Sequence, residues 1–143
     1  MNVLEVLERA MRQKDPDALE DAINCVDPKS ADDPRLVPVL CDLLSAKWHK
    51  CHEDITLILQ QIRDPRASRA LGQAAILKFE YLDYDNSYAF ARKCIWALAD
   101  IGTDEAKQWL LELSKVEDPT IAGYATRRLD RWPEEAGRKG PRQ

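Results

Sequence analysis

Residues 87–106, SYAFARKCIWALADIGTDEA, read as one helix that stops, turns and starts another. Alanines and large apolar residues recur at helical spacing as far as Ile101, and Gly102 ends the run. Thr103 and Asp104 then cap the next apolar-periodic stretch. The same device appears upstream as Ile62-Arg63-Asp64-Pro65-Arg66-Ala67 and downstream as Glu117-Asp118-Pro119-Thr120. A chain punctuated in this way predicts an array of helical hairpins.

Outward from that stretch the pattern repeats. Val3, Leu4, Leu7, Ala10 and Met11 share one face of a first helix over 2–13. Asp15 caps a second helix with Pro16 at its first position, and Ala18, Leu19, Ala22, Ile23 and Val26 form its apolar stripe. A polar loop, 27–33, leads to Asp33-Pro34 and a third helix carrying Leu36, Val37, Leu40, Cys41 and Leu44. Pro38 in its first turns predicts a kink or a later start. A fourth helix begins after Ser45-Ala46, and Asp64-Pro65 caps a fifth that reaches Lys78. Residues 79–87, FEYLDYDNS, break the pattern. Helices six to eight follow over about 88–101, 104–116 and 119–132. The tail 133–143, PEEAGRKGPRQ, has no apolar residue larger than alanine and is expected to be disordered. No segment alternates with the period of a strand.

Composition bounds the function. At 143 residues, 45% apolar and 32% charged, the chain fits one globular domain, here expected over 1–132 with 1–30 as an N-terminal capping pair. A net charge of -4 argues against bulk attraction to nucleic acid or anionic lipid. The charge is uneven. Residues 1–33 hold nine acids against four bases, and residues 120–143 hold six bases against three acids. Four cysteines without a CxxC pair read as small hydrophobes in a reducing compartment. Glu5 and Glu8 stand where a signal peptide would be basic and then apolar, and the longest apolar run is too short to span a bilayer. A cytoplasmic protein without a membrane partner is the expectation.

The repeats align by hand. Asp33-Pro34-Arg35, Asp64-Pro65-Arg66 and Thr103-Asp104-Glu105 open equivalent helices, with Leu40, Leu71 and Leu110 in step behind them. In the partner helices Leu59, Leu98 and Leu129 fall in step, at spacings of 39 and 31 residues. FARKCIWALADIGTDEA, ITLILQQIRDPRA and DPTIAGYATRRL resemble the short HEAT repeat of phycocyanobilin-lyase-like proteins, over about residues 33–132. The resemblance implies an all-α, right-handed α-solenoid of about four antiparallel helix pairs. One helix of each pair would line a concave face, a surface that usually binds macromolecules.

Candidate chemistry is sparse. WHKCHE gathers His49, His52 and Glu53 at helical spacing, two imidazoles and a carboxylate of the kind that hold zinc. No fourth ligand is near in sequence, and solvated histidines beside a buried Cys51 and Trp48 are the simpler reading. No GxSxG, Walker loop or GxGxxG is present, and no cofactor is implied. Glu80, Asp83 and Asp85 fit an acidic loop. Phe79, Tyr81, Tyr84 and Tyr88 lie among them, and the loop is expected to be dispensable for folding while Tyr81 and Tyr84 contribute to recognition.

The face opposite the core stripes carries the remaining candidates. Leu57, Trp96 and Arg127 fall in one column, with Glu53 and Arg92 on one side and Gln61, Asp100 and Arg131 on the other. An aromatic centre with a mixed-charge rim points to protein binding, with Trp96 as anchor unless the 79–87 loop covers it. The expected function is a non-catalytic protein-interaction module. An immunity-type inhibitor of a bacterial toxin, with a basic toxin domain as partner, is one form of it. A lyase-like enzyme or enzyme subunit acting on a chromophore or protein substrate is the alternative that the resemblance implies.

Overall fold

The computed structural model describes residues 2–85 and 88–132. The predicted tail and the end of the 79–87 loop lie outside them. Eight α-helices account for the described fold, and no strand occurs among the described residues. They are α1 (Val3–Gln13), α2 (Pro16–Asn24), α3 (Leu36–Leu43), α4 (His52–Ile62), α5 (Ser68–Ala74), α6 (Tyr88–Ile101), α7 (Asp104–Leu113) and α8 (Pro119–Asp130). Three short 3-10 turns interrupt them, at Pro28–Ser30, Pro65–Ala67 and Glu80–Asp85. Among the described residues no helix is long and apolar enough to cross a membrane.

The capping residues act as their types require. Asn2, Asp15, Thr103 and Asp118 each accept a backbone N–H from the first turn of α1, α2, α7 and α8, supplying a partner the helix itself cannot. Pro16 and Pro119 sit at helix starts, where a missing N–H costs nothing. Pro38 is the third residue of α3, so its absent N–H is one that no helical carbonyl awaits, and the helix simply starts at Leu36.

Helix α6 is the hub. Nine of its 14 residues are buried, among them Phe90, Cys94, Ile95, Leu98 and Ile101, and it packs against α4, α5, α7 and α8. Each such large side chain taken from water contributes roughly 1.5–3 kcal/mol before conformational entropy is set against it. The remaining contacts sort the helices into rows. In one, α1 meets α3, α3 meets α5 and α5 meets α7; in the other, α6 lies between α4 and α8. Arg66 donates to the Pro34 carbonyl at 2.8 Å, tying the Asp64-Pro65-Arg66 turn to its counterpart one repeat earlier.

Three boundaries differ from the sequence expectation. Helix α4 begins at His52 rather than after Ala46, because the intervening backbone is captured by side chains. The His49 ring donates from Nε2 to the Leu43 carbonyl and accepts the Cys51 N–H at Nδ1. Helix α5 ends at Ala74 and α7 at Leu113, each closing in turns that leave Leu77 and Val116 packed on the core without continuing the helix.

Candidate functional site

Two ties fix the register of α4 against α6. Lys93 Nζ meets Glu53 Oε2 at 2.7 Å, and Gln60 Nε2 donates to Asp100 Oδ2 at 2.8 Å. Both pairs lie 40 residues apart, so the two helices run in the same direction. On the other side of α6 the Tyr88 hydroxyl donates to Asp118 at 2.9 Å, and the Arg128 guanidinium lies over the Trp96 ring at 3.9 Å. These contacts advance together along both helices, so α8 is parallel to α6 as well.

Between the two ties stand the row's exposed apolar groups. Leu57 is 50% exposed and Trp96 is 38% exposed. Arg92, Arg127, Arg131 and Gln61 are also exposed. Trp96 is therefore not buried beneath the 79–85 segment, whose ring contacts go to His52 and Phe90, nearly two turns before it. Its face is shared with Arg128, which burial and stacking hold against the indole.

Two predicted rim charges are not rim charges. Asp100 is 9% exposed, and its carbonyl also accepts from Arg63 Nε at 2.8 Å, so it ties α6 to α4. Glu53 is partly buried and paired with Lys93. Parallel helices in contact use the flank facing the neighbour for cross-links. Arg128 was missed for the same reason. Hand alignment put Arg127 level with Trp96, whereas the stagger of packed neighbours brings the next residue over the ring. A basic residue one place beyond the aligned column was the available signal.

The second constellation overturns one expectation. His49 and His52 are buried, not solvated, at 2% and 0% exposure. Their rings stack at 4.1 Å, and His52 stacks in turn on Phe79 at 3.7 Å. Nε2 of His52 donates to the Ala46 carbonyl at 2.6 Å. The Tyr81 hydroxyl accepts the His52 backbone N–H and donates to Nδ1 at 2.6 Å. A carbonyl accepts only, so Nε2 carries a proton in both rings; the Cys51 N–H donated to Nδ1 leaves His49 neutral, and burial keeps His52 neutral as well. Burial pushes the His52 ring down to about 4 and lowers His49 too. Tyr81 is thus a structural partner of His52, and Phe79 and Leu82 are buried beside it. Tyr84 is 78% exposed.

A cavity of about 540 Å³ opens over this cluster, lined by Trp48, His49, Phe79 and Tyr81 with Lys47, Lys50, Lys78 and Glu80. The imidazole nitrogens beneath it are all engaged within the protein, and these bonds hold the α3–α4 corner. Among the described residues no three His, Cys, Asp or Glu side chains gather closely enough to hold a metal ion. Comparison with known protein families, curated proteins and solved structures finds no match to this chain.

Proposed function

We propose that this chain is a non-catalytic protein-binding module. In this reading its helix rows form a short right-handed HEAT-like α-solenoid, and the α4–α6–α8 row is the working surface. One observation carries it: Leu57 and Trp96, from parallel neighbouring helices, are both substantially exposed between two cross-helix ties that hold their backbones in place. An aromatic and an aliphatic group on a rigid platform, surrounded by arginines, have the composition of an interface core with a polar rim. The parallel course of α4, α6 and α8 supports the repeat architecture, since each crossover between them supplies a helix to the other row. An immunity-type inhibitor that covers a toxin is one cellular role for such a module.

The test is capture from native lysate by wild type, Trp96→Ala and Leu57→Ser, each with a thermal melt. The expected result is a partner retained by wild type and lost by both variants while they remain folded. Equal capture by all three proteins would end the reading.

A further inference from the structure

The charge left exposed around Trp96 specifies the partner's sign at this end of the face. Glu53 is neutralised by Lys93, and the Asp100 side chain is tied to Gln60 in a nearly buried position. Arg92, Arg127 and Arg131 remain solvent-facing, with no ion pair to a carboxylate among the described residues. Helical spacing puts Arg92 one turn before Trp96 on the flank towards α8. Arg127 on α8 and Arg131, which closes that helix, lie one turn apart, before and after the buried Arg128 that stacks on the indole. Three solvent-facing guanidinium groups thus surround one indole.

At the other end of the face the sign reverses. Asp54 lies one turn before Leu57, on the flank away from α6. It shares a cleft of about 410 Å³ with Asp17 and Glu20 of α2, and with Lys50. An acidic segment is repelled there and drawn towards α6 and α8, so the polarity also fixes where it lands.

We infer that the α6–α8 part of the face takes an acidic peptide segment, its carboxylates on Arg92, Arg127 and Arg131 and an apolar side chain against Trp96 and Leu57. This rests on the protein-binding reading above. Arginine forks suit carboxylates, which they bind through two parallel hydrogen bonds. A nucleic acid is the weaker fit: the chain's net charge is -4, and the site's centre is an aliphatic–aromatic pair rather than a continuous basic track.

The experiment titrates the isotope-labelled full chain with three probes and follows amide resonances. The probes are a short acetylated peptide of glutamates around a central Leu-Phe pair, its counterpart with lysine for glutamate, and a single-stranded oligodeoxynucleotide. The acidic peptide is expected to shift amides over 92–99 and 124–131. Arg127→Glu with Arg131→Glu should weaken it by about tenfold or more while the melt stays unchanged. Silence with the acidic peptide, binding that ignores the double charge reversal, or preference for the lysine peptide or the oligonucleotide would each overturn the inference. The two failures are distinguishable. If Trp96→Ala abolishes partner capture while the arginine reversals leave it intact, the binding face stands and its acidic ligand falls. If Trp96→Ala leaves capture intact, the face itself falls.

Discussion

The cluster of His49, His52, Phe79 and Tyr81 and the patch of Leu57 and Trp96 are both rich in large rings or aliphatics beside polar groups, and the fold treats them oppositely. In the first, every imidazole nitrogen and the Tyr81 hydroxyl find partners inside the protein. The cluster is satisfied from within and closes the corner between α3 and α4. In the second, the polar neighbours tie helix to helix and leave the apolar groups outside. An aromatic insertion is buried where loose backbone ends need donors and acceptors. An aromatic on a helix stays out where its row has no further helix to cover it.

Removing a ring from each region should separate them most clearly. Phe79→Ala deletes a stacked, buried ring and is expected to cost about 3–5 kcal/mol in denaturant unfolding. Trp96→Ala is expected to cost well under half of that, since its ring is partly in water. Equal costs would mean the two clusters are one kind of structure.

Acid should act on the histidine cluster and not on the patch of Leu57 and Trp96. Buried neutral His52 titrates near 4 when folded and near 6.5 when unfolded, so the unfolded state binds more protons between those values. Stability is then full above about pH 6.5 and falls as pH drops towards 4, by on the order of 2–3 kcal/mol. His52→Gln, compared over the same range, should show a shallower decline. An identical slope would place the acid sensitivity elsewhere.

Packing in the row opposite the binding face sets a smaller effect. A Cβ added at Gly72 would collide with the Trp109 ring. Gly72→Ala is therefore expected to destabilise by about 1–3 kcal/mol, read by melting, as the indole is forced off its seat. The smallest effect has the opposite sign. Ser68 Oγ is buried with no hydrogen-bond partner among the described residues, so Ser68→Ala should be neutral or stabilising by about 1 kcal/mol. A loss of stability there would reveal a partner for the hydroxyl.

Much of the helical architecture was legible because local rules decide it. Asp15-Pro16, Thr103-Asp104 and Asp118-Pro119 announce helix starts through caps that act within a few residues. The Leu57 and Trp96 positions were legible from the helical period, since a residue opposite the stripe must face away from it. The corner at 45–51 was not. Its conformation depends on His49 and His52 meeting helix-end carbonyls and on Tyr81, 29 residues on, meeting His52. No periodicity encodes that. The fates of Glu53, Asp100 and Arg128 were hidden for a related reason: the period gives a face, while the stagger between neighbouring helices chooses which flank residue becomes a cross-link.

The central claim is that the exposed ring of Trp96 binds a partner rather than completes the fold. Its most direct test is the affinity of Trp96→Ala for the captured partner, expressed per folded molecule by correcting for the variant's own unfolding curve. The expected result is a loss of at least about 2 kcal/mol, roughly thirtyfold in Kd. Unchanged affinity per folded molecule, with only a lower melting temperature, would contradict it and make Trp96 a structural residue.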